Sequence, residues 1–126
     1  MTPLEQQLEI LKGTPGYEHA RLETSGGTTV VVLPDVALIA GWKRQSTTIR
    51  FVLPPGYPFG RPDCFYADAD LRLADGRVPQ AAQVQPLPGA GTPLLWFSWH
   101  PQGWNPNRDS LVTYARVIRQ RLGEIR

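Results

Sequence analysis

The sequence is poor in the residues that small proteins use for covalent and metal-based chemistry. It holds one cysteine, Cys64, among 126 residues. A single thiol makes no internal disulfide and builds no thiolate cage around a metal, so a disulfide-stapled fold is excluded and a reducing compartment is expected. Histidine is nearly as scarce, with His19 and His100 alone. No apolar run approaches the ~20 residues that a membrane-spanning helix needs. The opening MTPLEQQLEI also lacks the charged-then-apolar order of a signal peptide. A cytoplasmic protein without membrane contact is the expectation. Charged residues make up only 19% and the net charge is +2, although Arg108, Arg116, Arg119, Arg121 and Arg126 crowd the C-terminal end. Such a cluster serves either as a solvated helix face or as a grip on an acidic partner or nucleic acid. No nucleic-acid-binding motif accompanies it, so nucleic acid is not expected as a partner.

Turn formers, by contrast, are plentiful. Thirteen prolines and twelve glycines are nearly a fifth of the chain, which favours a turn-rich fold over a helical bundle. The length suits one domain spanning residues 1–126 with a single core. TPLEQQLEILKG predicts a first helix with Thr2 as cap, Pro3 at the first helical position, Glu5 completing a capping box and Gly13 as stop. Leu4, Leu8 and Leu11 form its apolar stripe. Four strand candidates follow: YEHARLET, TTVVVL, STTIRFVL and DCFYA, with SGG as a hairpin turn between the first two. In the third, Thr47, Ile49, Phe51 and Leu53 share one face. Residues 68–93 offer no regular pattern and predict a long irregular crossing. The tryptophan-rich run LLWFSWHPQGWNP comes next. A final helix then follows over NRDSLVTYARVIRQRL, capped by Asn107 or Asp109, with Leu111, Ala115, Ile118 and Leu122 as its apolar stripe and the arginines mostly outside it. Helix, four-stranded antiparallel meander, irregular crossing and helix make an α+β domain with the helices on one side of the sheet.

Two stretches carry a resemblance. YPFGRP, with Tyr57, Pro58, Phe59 and Pro62, follows the third strand and resembles the tyrosine-proline signature of the ubiquitin-conjugating enzyme superfamily and its non-catalytic RWD relatives. WNP, with Trp104 and Pro106, is similar to that family's Trp-Ser-Pro step before a helix. The order of elements is the family's own over nearly the whole chain, and the YPF block together with the tryptophan- and histidine-bearing segment most resembles the bacterial branch known as prokaryotic family E. The resemblance implies a ubiquitin-conjugating (UBC-like) fold, and a ubiquitin-like protein and an adenylating activating enzyme as partners. It also implies docking of the latter on the first helix near Leu4, Gln7 and Leu8, although amphipathicity alone would make those positions core. Neither a cofactor nor a metal is implied.

Cys64 does not stand where the resemblance would put a thiol that carries ubiquitin. It lies seven residues after Tyr57, within the fourth strand candidate, on the face of Tyr66 and opposite Phe65. A buried cysteine behaves as a small hydrophobe whose raised pKa suppresses thiolate chemistry. The region where the family's cysteine and asparagine would fall, LRLADGRVPQAAQV, contains neither. Any covalent load must then pass through a hydroxyl, and an alcohol needs a base to become a nucleophile. Ser98 and His100 in WFSWHP meet that need: two positions apart, they share a face of an extended segment, and an imidazole is suited to general-base work. The plainer reading of His100 is a loop residue bonded to backbone, and His19 reads as a surface residue. Two functions follow: a conjugating-enzyme-like protein that transfers a ubiquitin-like protein by an oxyester route, or a binding module of the same fold that performs no chemistry.

Overall fold

The computed structural model describes residues 1–88 and 91–126. Helix α1 spans Pro3–Lys12, and the Thr2 hydroxyl accepts the Glu5 N–H at 3.1 Å, the cap that its sequence predicts. Leu11 is wholly buried, while Leu4 and Leu8 are half-buried against the core. Strands β1 (Arg21–Ser25) and β2 (Thr28–Ala37) form a hairpin. Gly26 and Gly27 turn it with φ of 57° and 80°, the left-handed pair that a two-residue turn between twisted strands requires. The first strand is shorter than YEHARLET suggested, because Tyr17 and Ala20 close turns onto Thr14 and Tyr17 before the strand begins. The second runs on past Pro34. Asp35, at φ 51°, absorbs a register shift between Leu33 and Val36 against the next strand, a bulge beside a residue that has no N–H to donate.

Strand β3 (Ser46–Leu53) alternates as expected, with Thr47, Ile49, Phe51 and Leu53 all buried. Strand β4 (Phe65–Ala67) is short and pairs with β3 through Arg50 and Tyr66. The expected four-strand meander then proves too narrow. Two more strands, β5 (Ala82–Pro86) and β6 (Pro93–Phe97), complete a six-stranded antiparallel sheet of order β1-β2-β3-β4-β6-β5. Part of the segment expected to be irregular is therefore strand; its residues 89 and 90 lie outside the described residues. β5 escaped the sequence pattern because an edge strand half in solvent needs no apolar alternation: in AQVQP no residue is fully buried.

Helix α2 spans Leu111–Leu122. Its cap is Ser110, whose N–H the Thr113 hydroxyl accepts at 3.0 Å, and not Asn107 or Asp109. Asp109 is occupied elsewhere, accepting the Asn105 N–H at 2.7 Å. Leu111, Ala115, Ile118 and Leu122 are buried as their spacing predicts, together with Tyr114. Both helices pack over one face of the sheet, on Val31, Leu33, Ile49, Phe51, Phe65, Leu95 and Phe97. Phe65 and Phe97 stack at 4.6 Å, and Tyr114 meets Phe51 edge-on at 4.9 Å. Each of these side chains contributes about 1.5–3 kcal/mol by leaving water. A smaller cluster of Val30, Val32, Tyr66, Leu87 and Leu94 covers the opposite face. Among the described residues no helix is long and apolar enough to cross a membrane.

Candidate functional site

The corner after β3 is stiff in its backbone and bonded at its tips. The Tyr57–Pro58 peptide is cis, and Phe59 N–H closes a turn onto Gly56 at 2.8 Å. Gly56, at φ 82°, takes a geometry closed to most other residues. The Tyr57 hydroxyl donates to Gln7 Oε1 at 2.7 Å, and the same oxygen accepts the Leu111 N–H at 3.2 Å. One amide oxygen therefore joins α1, the corner and the start of α2. Burial pushes the Tyr57 phenol well above its ordinary range, so it remains a donor at any physiological pH. Trp104 donates its indole N–H to Pro58 O at 2.8 Å, with its ring 6.2 Å from that of Tyr57. Pro62 is buried and Pro106 half-buried, while Phe59 stands 82% exposed.

Beyond the corner, β6 ends in a bend. Ser98 N–H donates to Ala81 O at 2.8 Å, and Trp99 N–H folds back onto Phe97 O at 3.0 Å. The Trp99 carbonyl accepts the Tyr114 hydroxyl at 2.9 Å. Its ring lies between two guanidiniums, Arg121 at 5.4 Å and Arg126 at 5.5 Å. Arg121 is wholly buried, the exception among the arginines of α2, since Arg116 and Arg119 are exposed. The guanidinium donates to the carbonyls of Gln80, Glu124 and Arg126, and only its Nε is left without a partner. Those acceptors are what make a buried cation tolerable.

His100 is half-exposed, with Nδ1 3.8 Å from a carboxylate oxygen of Asp63. Arg61 reaches the same oxygen at 3.9 Å and donates to Pro101 O at 2.8 Å. Ser98 is exposed. Cys64 and Ser98 each lie one residue beyond the last β4–β6 pair, Phe65 opposite Phe97, and Asp63 and His100 lie at that same end of the two strands. Among the described residues no hydrogen bond joins Ser98 to His100, and no group of three or more His, Cys, Asp or Glu side chains is placed to hold a metal ion.

A family model, that of prokaryotic E2 family E, matches residues 11–125. The chain belongs to that family. Neither a curated protein nor a solved structure matches it at a significant level. Membership accounts for the two helices flanking an antiparallel sheet and places the chain in ubiquitin-like conjugation.

In this family E protein Cys64 is half-buried on the sheet face away from the helices, against Tyr66 and Trp96. Burial raises the thiol pKa above its ordinary value, and the negative charge of Asp63 adds to the effect; the Trp96 indole opposes it. The thiol is held in its protonated, weakly nucleophilic form. Leu4, Gln7 and Leu8 all turn inward: the leucines pack on the core and Gln7 is bonded at both ends of its bridge. The outer face of α1 presents Glu5, Gln6, Glu9 and Ile10 instead. Asp63, Arg61 and Arg121 were invisible as site residues in the sequence. Each has a partner far along the chain, His100 for Asp63, Pro101 for Arg61 and Gln80 for Arg121, and no local spacing marks those contacts.

Proposed function

We propose that this chain is the conjugating-enzyme-like component of a bacterial ubiquitin-like modification system and works with an adenylating activating enzyme. Transfer of the ubiquitin-like protein proceeds through an oxyester on Ser98 and not through Cys64. The observation that carries this reading is the Asp63–His100 contact at the end of β6, two residues from an exposed serine. Nδ1 is the ring nitrogen nearer Asp63, at 3.8 Å, and Nε2 is the one assigned to the serine in this reading. In the proposed step Ser98 Oγ attacks the activated C-terminal carbonyl of the ubiquitin-like protein. The C–O ester bond forms, the bond from that carbonyl to the activating group breaks, and the hydroxyl proton passes to His100. An amine of the target then attacks the ester carbonyl: the C–N bond forms, the C–Oγ bond breaks, and the proton lost by the nitrogen passes through His100 to Ser98 Oγ. Because Ser98 and His100 are not bonded in the free protein, the step requires them to approach when the load arrives.

A second reading is favoured by the protonated state of Cys64 and by that same missing bond: a binding module, akin to RWD domains and inactive conjugating-enzyme variants, that holds the ubiquitin-like protein or the activating enzyme. Incubation with activating enzyme, ATP and ubiquitin-like protein, followed by mass spectrometry, separates the two. The oxyester reading expects an alkali-labile adduct that persists in Cys64→Ala and vanishes in Ser98→Ala. An adduct mapped to Cys64 overturns it. Tight partner binding without any adduct, unaffected by substitution of Ser98 and His100, establishes the binding module.

A further inference from the structure

A cleft of about 410 Å³ opens between the turn after α1, the end of β2 and the last turn of α2. Its size falls within the ~300–1,000 Å³ of small-ligand pockets. Val36, Leu38, Ile39 and Leu122 supply its apolar wall, and Ile39 is 54% exposed there. Only two side chains bring polar donors to it, Tyr17 and Arg119. Arg119 forms no ion pair among the described residues. The Tyr17 phenol is half-buried, and the Arg119 charge is close enough to act on it, partly offsetting the rise that burial imposes.

A helix C-terminus is ordinarily a poor neighbour for an anion. Here its carbonyls are already engaged. Gly123 N–H bonds Arg119 O and Gln120 O, Glu124 N–H bonds Arg121 O, and the Trp42 indole donates to Leu122 O at 2.8 Å. Three acidic residues adjoin lining residues along the chain, Glu18, Asp35 and Glu124, and none lines the cleft; Glu18 accepts the Gly16 N–H at 2.9 Å and Glu124 pairs with Arg126. The cleft is therefore an apolar trough with one net positive charge and one phenolic donor at its edge.

We propose that this cleft binds an apolar carboxylic acid, its aliphatic or aryl body lying on Val36, Leu38, Ile39 and Leu122 and its carboxylate held by Arg119 and the Tyr17 hydroxyl. A free acid and the carboxyl end of a peptide with an apolar last residue present the same chemistry. The site is separate from Ser98 and His100 and does not depend on the conjugation reading.

The test titrates phenylbutyrate and N-acetyl-Ala-Ala-Leu, each as free carboxylate and as primary amide, into the isotope-labelled full chain. The backbone amide signals of Ala37, Leu38, Ile39 and Gly123 are followed by NMR. The carboxylates are expected to give saturable shifts with a Kd of about 1 mM or below. The amides, and Arg119→Gln with the carboxylates, should bind about tenfold more weakly, and Tyr17→Phe should weaken binding less. The tighter of the two carboxylates identifies the source. Arg119 is exposed, so its variant should keep the remaining spectrum unchanged. Lack of saturable shifts, amides that bind as well as acids, or an unaltered Kd in Arg119→Gln overturns the proposal.

Discussion

Two stretches on either side of Pro101 belong to one continuous run of chain, yet they are held in different ways. Trp104 and the Tyr57 corner are joined by short side-chain hydrogen bonds to backbone or to a shared amide, at 2.7–2.8 Å. Ser98 and His100 project into solvent, and the closest ionic neighbour of His100 stands at 3.8 Å. The first stretch is scaffold, where movement would break bonds that water cannot replace. The second has exposed side chains with no short side-chain hydrogen bond among the described residues, the setting in which a partner can reach them. Trp99 sits between them, fixed by Tyr114 and by the buried Arg121. The contrast is between a backbone bonded in place at the end of β6 and the exposed Ser98 and His100 side chains that it carries.

That contrast can be broken from either end. The largest effect is expected from Arg121→Ala, which strips three carbonyls of their donor, empties a wholly buried site and removes the stacking on Phe97 and Trp99. A loss of about 3–5 kcal/mol in urea unfolding is expected. Trp104→Ala should cost about 3 kcal/mol, since it empties the space beside Tyr57 and leaves Pro58 O without its indole donor. Tyr57→Phe removes one hydroxyl but leaves Gln7 bonded to Leu111, and should cost only about 1 kcal/mol. His100→Ala and Asp63→Ala are expected to change stability by less than about 0.5 kcal/mol. Adduct formation should nevertheless fall about a hundredfold in His100→Ala. If His100→Ala destabilises the protein as much as Trp104→Ala, the division into scaffold and reactive end fails.

Cys64 sharpens the comparison by a smaller effect. Its folded pKa is raised, chiefly by burial. A group raised in the folded state adds stability below its unfolded pKa, and that stability is lost as pH climbs through the folded pKa. Stability should therefore fall slightly from about pH 8.5 upward, and Cys64→Ala should flatten that decline. Iodoacetamide should label the native thiol more slowly than free cysteine at neutral pH, as followed by mass spectrometry.

Local chemistry was the legible part. Thr2, Pro3 and Glu5 announced α1, the Gly26–Gly27 pair announced the hairpin, and the alternation of Thr47, Ile49, Phe51 and Leu53 announced the buried face of β3. YPF and WNP pointed to the family with no help from three-dimensional contacts. The edge strand β5 stayed hidden because its stability comes from pairing with β6 and not from its own residue pattern. Ser110 was passed over as the α2 cap because Asn107 and Asp109 are equally good cap residues by type, and only the turn made by Asn105 and Asp109 decides among them. Ser98 and His100 could be named from spacing. Asp63 could not, because it reaches His100 across the sheet.

The amino-acid sequence alone therefore determined the helices, most of the strands, the turn chemistry and the family, since each rests on residues within a few positions of one another. Tertiary structure decided which polar groups are structural and which are free. It drew Gln7 inward to a partner 104 positions away, buried Arg121 against a carbonyl 41 positions away, and set Asp63 beside His100. The physical reason is that a side chain's desolvation and its hydrogen-bond partners depend on what the fold brings near it, and that proximity has no signature in the neighbouring residues.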